Sequence, residues 1–154
     1  MTATLTRTAR RADSTAATML RQLREGLAQD LRGYGALREL LERQFHAALR
    51  HQSEEMAALS AGILAQAAEI EAQRAHRREL LVALLGRAGQ PSLRALLDRL
   101  PVEMGEPLLA LRQAIERALA ECKAMNLRNA QLIGEQQALM QQLLGREEHV
   151  YAQR

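Results

Sequence analysis

The chain has 154 residues, a length that fits a single domain with its own core. Hydrophobic residues make up 47% of it and aromatic residues only 2%, so an aliphatic core is expected. The formal net charge of +3 is small and of mixed sign, which disfavours the clustered basic face of a nucleic-acid-binding protein. No apolar run approaches the roughly 18 residues that a membrane-spanning helix needs, so no membrane insertion is expected.

The composition predicts an all-α protein. Ala, Leu, Glu, Gln and Arg dominate, and these residues favour helices. Only three Pro and nine Gly interrupt the chain. The single cysteine, Cys122, excludes a disulfide within the chain and fits a reducing compartment. Because the N-terminus also lacks the apolar segment of a secretory signal, a cytoplasmic location is predicted.

Residues 1–13 are polar and aperiodic, and we expect a flexible N-terminal tail. Their Arg- and Thr-rich composition also suits a transit peptide, which is the alternative interpretation. Apolar residues then recur at helical spacing from Leu20 to Ala48. This pattern predicts one amphipathic helix that ends near Gln52.

Two features of the sequence bear on where the first helix bends and where it ends. Gly33 and Gly35 flank a tyrosine in the middle of the first helix, where they predict a bend, a break or a close helix approach. Ser53, followed by two glutamates, is typical of a helix start, so we expect a tight turn at 51–53. The alternative is one continuous helix. The second helix is expected to end at Gly86.

The C-terminal third contains a short and a long helix. Residues 92–100 begin with a serine cap and carry four leucines, which predicts a helix of about two turns. The segment 101–105 breaks it. Pro107 is then expected in the first turn of a long helix that reaches about Glu147. Residues 148–154 are expected to form a flexible tail.

These segments predict one domain over residues 14–147. It should be an antiparallel bundle of three long helices plus one short helix, with left-handed, coiled-coil-like packing. A bundle this long and thin is expected to complete itself by dimerising or by accepting a helix from another protein.

The last long helix carries the strongest pattern. Small, apolar and a few polar residues recur at alternating steps of three and four, as in a coiled coil. They are Leu108, Leu111, Ile115, Ala118, Cys122, Met125, Asn129, Leu132, Gln136, Leu139 and Leu143. A second stripe beside them consists of Leu119, Asn126, Ile133 and Met140. Because the combined face is too wide for one partner helix, this helix should meet more than one.

No constellation of residues points to catalysis. None of the four histidines has a glutamate three residues before it, as a metal site in a helical bundle would need. Glu42 and His46 lie four apart and are expected to pair on the surface. There is no glycine-rich phosphate loop and no nucleophile elbow. We therefore expect neither an enzyme nor a metal or other cofactor.

The same helix carries a resemblance to a known family. Residues 119–134 read LAECKAMNLRNAQLIG, and they resemble the signature of the FlgN family of bacterial flagellar export chaperones. The family pattern is an apolar residue, Asn, two residues, Asn-Gly and an apolar pair. Here Asn126 and Asn129 are the motif residues, and Ala130 replaces the glycine. The family's Tyr-Gly-containing tail corresponds here to Val150-Tyr151-Ala152, so its glycine is absent.

This resemblance implies a cytoplasmic chaperone for flagellar type III export. FlgN-like proteins bind hook–filament junction proteins, FlgK and FlgL, through their C-terminal amphipathic helix, and deliver them to the export apparatus. Carried onto this chain, the implied substrate face comprises Leu132, Ile133, Gln136, Leu139, Met140, Leu143 and Leu144. Tyr151 would be an export-gate contact. A substrate-free homodimer is also compatible with the pattern.

Two alternatives remain open at this point. The apolar stripe after Asn129 is either an exposed partner site or entirely intramolecular core. The protein itself is either such a chaperone or a structural coiled-coil or adaptor protein that acts by self-assembly. The chaperone hypothesis predicts that the helix divides near Asn129, with a structural half before it and a substrate-binding half after it.

Overall fold

The computed structural model describes the backbone of residues 2–152 and the side chains of residues 4–146. These residues form three long helices and one short helix, packed together as a bundle, which confirms the predicted all-α class. The helices are α1 (Thr2–Leu49), α2 (Ser53–Leu85), α3 (Leu93–Arg99) and α4 (Val102–Ala152). None of them is long and apolar enough to span a membrane.

The predicted turn between the first two helices is present. It consists of Arg50, His51 and Gln52, and His51 has a positive φ of 55°. The amide of Gln52 donates to the carbonyl oxygen of Ala47, which closes the end of α1. Ser53 was expected to cap α2, but it is the first helical residue, and the capping position belongs to Gln52.

The first helix extends further toward the N-terminus than the sequence pattern predicts. It begins at Thr2, so the described part of the segment 1–13 is helical, although every side chain from Thr4 to Asp13 is exposed. Thr8 and Thr15 donate their hydroxyls to carbonyls one turn earlier, which satisfies them within the helix. Whether this segment is flexible stays a prediction, as it does for the tail after residue 147.

Gly33 produces a close helix approach instead of a bend, and α1 is continuous through it. A Cβ atom there would lie 3.3 Å from side-chain atoms of both Gln66 and Ile70. The Gln66 amide also donates to the Gly33 carbonyl oxygen at 3.2 Å. The missing side chain therefore allows α2 to pack tightly against the middle of α1.

The segment between α2 and α4 contains the predicted short helix, but α4 begins earlier than predicted. The predicted short helix is present, and the Ser92 hydroxyl caps it by accepting from the Ala95 amide at 3.1 Å. However, α4 begins at Val102, so Pro107 is not in the first turn but inside the helix. The amide of Gly105 donates to the Pro101 carbonyl oxygen, so the first helical turn is complete before Pro107.

Helix α1 packs against both other long helices. Its contacts with α2 run from Gln44–Ser60 to Asp30–Arg77, so residue numbers fall along α1 as they rise along α2, and this pair is antiparallel. Contacts with α4 run in the same direction, so that pair is parallel. Over the described residues, the backbones of α2 and α4 do not come into contact with each other.

The buried core has an apolar end and a partly polar end. One cluster joins all four helices at the end where α1 begins to be covered; its buried members are Leu23, Leu27, Leu81, Leu96 and Leu108. Toward the α1–α2 turn, the buried residues include Gln44 and Asn129 beside Leu41 and Ala48. Between these regions Asp30 is buried and forms an ion pair with Arg77.

Candidate protein-binding surface

Three side chains of α4 that can donate a hydrogen bond, two amides and one thiol, attach it to α1 at intervals of one heptad. Each donates a hydrogen bond to a main-chain carbonyl oxygen of α1, and each pair has the same offset in sequence. The pairs are Cys122 Sγ with Tyr34 (3.5 Å), Asn129 Nδ2 with Leu41 (2.7 Å) and Gln136 Nε2 with Ala48 (2.9 Å). We call this set the polar ladder, and it fixes the axial register of α4 on α1.

Asn129 is the centre of a buried network. Its side chain is fully buried, and Nδ2 donates a second bond to Gln44 Oε1 at 2.9 Å. Gln44 in turn donates to the Ser60 hydroxyl at 3.1 Å. Arg128 donates to Asn129 Oδ1. One asparagine therefore connects α4 to α1 directly and to α2 through Gln44.

Arg128 extends this network toward solvent. Its guanidinium group lies 3.7 Å from the centre of the Phe45 ring and donates to Glu42 at 3.1 Å. Glu42 also pairs with His46 at 3.3 Å, as the sequence predicted for a surface pair. A planar guanidinium that both stacks and bridges is well suited to hold the outer edge of the α1–α4 seam.

The middle of the seam is partly withdrawn from water. Burial raises the pKa of the Cys122 thiol, with Glu121 adding to the effect and Arg38 opposing it. Burial likewise raises the pKa of the Tyr34 hydroxyl, which Arg74 counteracts from α2. Both groups are therefore neutral at physiological pH, and Cys122 fits the predicted role of a small buried hydrophobe.

Beyond Gln136, every α4 side chain that the structure describes, up to Arg146, is exposed. The Gln136 contact is with Ala48, and α1 ends at the next residue. Helix α4 continues to Ala152, about 24 Å further at the usual helical rise. We call residues 137–152 the α4 extension. Among its described side chains, four large apolar ones are exposed: Leu139 (59%), Met140 (57%), Leu143 (49%) and Leu144 (55%).

The predicted substrate residues therefore fall into two groups. The four on the extension are exposed on one side of the helix, whereas Leu132, Ile133 and Gln136 are half-buried within the bundle. The side-chain hydrogen bonds from α4 to α1 continue to Gln136, one heptad beyond Asn129, so the contact with α1 extends past the boundary expected at Asn129. Whether any of these residues contacts a substrate stays a prediction.

The two motif asparagines have different environments. Asn129 is buried in the network described above, whereas Asn126 is exposed on the flank of α4. The side chain of Tyr151 lies outside the described residues, so its predicted contact with the export apparatus stays a prediction. Sequence periodicity located Asn129 on the seam but did not reveal that its partner is a carbonyl oxygen of α1.

The buried ion pair was missed from the sequence. Arg77 follows the helical spacing of the apolar residues of α2, but the sequence did not identify Asp30 on α1 as its partner. Burial lowers the pKa of Arg77, and the second carboxylate oxygen of Asp30 has no hydrogen-bond donor among the described residues. The available signal was a cationic residue at a seam position, which requires an anion on the facing helix.

The described residues contain no group of His, Cys, Asp and Glu side chains arranged to hold a metal ion. The fold and this surface define a helical-bundle protein whose longest helix presents an unpaired apolar strip suited to binding another protein. A family model described as FlgN protein matches residues 19–145, and the chain belongs to the FlgN family. No curated protein and no solved structure matches the chain.

Membership of this family implies a role as a flagellar export chaperone. FlgN chaperones bind flagellar export substrates, and the family is one of chaperones and not of enzymes. This agrees with the resemblance read from the Asn-x-x-Asn stretch, which lies inside the matched region.

Proposed function

We propose that this protein is a cytoplasmic chaperone that binds hook-associated proteins of the FlgK and FlgL type through the α4 extension. The observation that carries the proposal is the position of the apolar strip, which continues the α1–α4 seam past the last residue of α1. A client helix bound to this strip would pack against α4 beyond Gln136, as α1 packs against α4 before it. The client would then be delivered to the export apparatus.

The size of the strip sets the strength of this contact. Each of the four exposed side chains is about half accessible, so its complete burial is worth about 1 kcal/mol. Together they contribute about 4 kcal/mol, which corresponds to about a thousandfold in affinity. Part of this offsets the entropy of ordering a client segment that is disordered when free. Reversible binding is what delivery to an export apparatus requires.

The test is binding of a purified FlgK-type protein by calorimetry. Replacing Leu139→Asp together with Leu143→Asp puts two charges into the strip, and we expect affinity to fall at least about 100-fold. The matched control is Ala138→Asp with Gln141→Asp, which adds the same charge to the same turns on the opposite side of the helix. This control should bind as the unmodified protein does.

Circular dichroism of both variants separates binding from folding. Because both leucines are exposed, the helical signal should be unchanged. If the leucine variant unfolds instead, the strip is part of the core and the assignment is wrong. Without client, the same strip is the surface through which two copies would pair. If light scattering shows a constitutive oligomer and no client binds, the self-assembly alternative is favoured over the chaperone.

A further inference from the structure

The three long helices leave one side of the bundle incomplete. On α1, the residues that meet α2 and those that meet α4 lie about a quarter of a turn apart, at about 100° per residue. The first group contains Gly33 and Leu40, and the second contains Tyr34, Leu41 and Ala48. Gln44 lies between the two faces and bonds to both neighbours.

A right angle at α1 places the three helices at three corners of a square. With ordinary spacings of 8–10 Å along its sides, α2 and α4 would be about 11–14 Å apart across the diagonal. This explains why their backbones do not touch over the described residues. The remaining position is the fourth corner of a four-helix bundle, between α2 and α4 and opposite α1.

The short helix α3 already fills the lower end of this corner. It packs against α2 and α4 but makes no backbone contact with α1 along the described chain. Its residue Leu96 is buried in the cluster with Leu81 and Leu108. The corner therefore accepts a helix that inserts leucine between α2 and α4. The segment 90–93, which leads into α3, lines a cavity together with Arg74 of α2, so α3 and its preceding loop reach this level of α2.

Above α3 the corner is open for about 27 Å, or five helical turns, up to the α1–α2 turn. We call this space the open corner. By helical spacing, the positions next to the faces that contact α1 are Ile63, Ala67 and Arg74 on α2 and Leu119, Asn126 and Ile133 on α4, and these border the open corner. Tyr34 lies on the α1 side of this space: it is half-buried and follows Gly33, which contacts α2, while its carbonyl oxygen accepts a hydrogen bond from Cys122 of α4.

We infer that the open corner binds an amphipathic helix of the client, and that Asn126 contacts this helix. The inference rests on the proposed function and extends it. The stripe through Leu119, Asn126 and Ile133 continues in heptad steps to Met140 on the α4 extension. A client helix bound to the extension can therefore continue along α4 into the open corner, where it would occupy the fourth position of the bundle between α3 and the α1–α2 turn.

The area available supports this longer site. Four half-exposed apolar side chains offer about 400 Å², about half of the 800 Å² that each partner contributes to a stable complex. The half-buried side chains of the open corner, Ile63, Leu119 and Ile133, supply further apolar surface next to the strip. The occupant that fits is therefore a helix with an apolar stripe at heptad spacing.

The test places an obstacle in the open corner. Ala67→Glu and Asn126→Arg change exposed positions on its two walls. Ala65→Glu and Ala124→Arg are matched controls on the same helices, also exposed but pointing away from it. With the same full-length FlgK-type protein as probe, we expect each corner variant to lower affinity at least 10-fold. The controls should change it less than 2-fold.

Photo-cross-linking gives a second readout that does not depend on affinity. A benzophenone side chain at position 126 should cross-link to the client, and one at position 124 should not. The inference is overturned if the corner variants bind normally while the Leu139 and Leu143 variant does not; the proposed function then stands. It is also overturned if position 126 cross-links to a second copy of this chain. Loss of binding only in the corner variants would refute the assignment to the extension instead.

Discussion

Asn129→Ala is the most informative single change in the bundle. It removes the middle rung of the polar ladder and the contact that joins α4 to Gln44. The Leu41 carbonyl still accepts the intrahelical bond of α1, but Gln44 Oε1 loses its donor. The change therefore leaves a buried acceptor without a partner, a more costly outcome than the loss of an exposed hydrogen bond.

The magnitude follows from the two bonds and their burial. A typical hydrogen bond contributes about 1 kcal/mol, and an unsatisfied buried group costs about 1–3 kcal/mol. For a side chain that is 1% exposed, we expect a loss of about 3 kcal/mol in the free energy of unfolding. In a chain of this size, that corresponds to a fall in Tm of about 6–12 °C. The fold should survive, since domains are commonly stable by about 5–15 kcal/mol.

Urea denaturation followed by circular dichroism measures this loss. Asn126→Ala is the matched control, because the second motif asparagine is exposed and should change stability by less than about 0.5 kcal/mol. A double-mutant cycle with Gln44→Ala should give a coupling of about 1 kcal/mol or more. A loss below about 1 kcal/mol for Asn129→Ala, or an additive cycle, would refute the structural role given to this residue.

Two further predictions concern the buried groups. Arg77→Ala leaves the Asp30 carboxylate without its cation and should cost about 3 kcal/mol, while Arg77→Met combined with Asp30→Leu should be better tolerated; urea titrations test this, and equal losses would contradict it. Cys122 should react much more slowly with a thiol reagent than it does in urea, because burial raises its pKa. Since the folded state favours the neutral thiol, stability should fall as pH rises above the ordinary thiol pKa of about 8.5, and Cys122→Ser should remove this dependence below about pH 10, where Tyr34 begins to add its own.

The sequence predicted the elements of this fold well because their signals are local. Helical spacing and composition identified the three long helices and the short one, and Ser92 marked the start of α3 through its own capping bond. The turn after α1 was also predicted correctly. The predicted start of α4 at Pro107 was wrong because proline generally favours the first turn of a helix. The actual start at Val102 depends on hydrogen bonds to the Pro101 carbonyl oxygen.

The candidate site could be predicted only in part, since it depends on where another helix ends. Periodicity identified the apolar residues of α4 but could not show that α1 stops level with Gln136. The expected boundary at Asn129 therefore did not account for the further contact of Gln136 with α1. The open corner was equally hidden, because the angle between α2 and α4 around α1 depends on Gly33 and on contacts distant in sequence.

The polar ladder fixes α4 on α1 without using the apolar residues of the α4 extension. Apolar seams tolerate axial slippage, whereas a buried polar residue specifies register at some cost in stability. A slip of one heptad would move Gln136 past the end of α1 and separate Arg128 from Glu42. The ladder therefore holds the base of the α4 extension at the level of the α1–α2 turn. Register is therefore set by contacts up to Gln136, and the exposed Leu139, Met140, Leu143 and Leu144 beyond it take no part in fixing it.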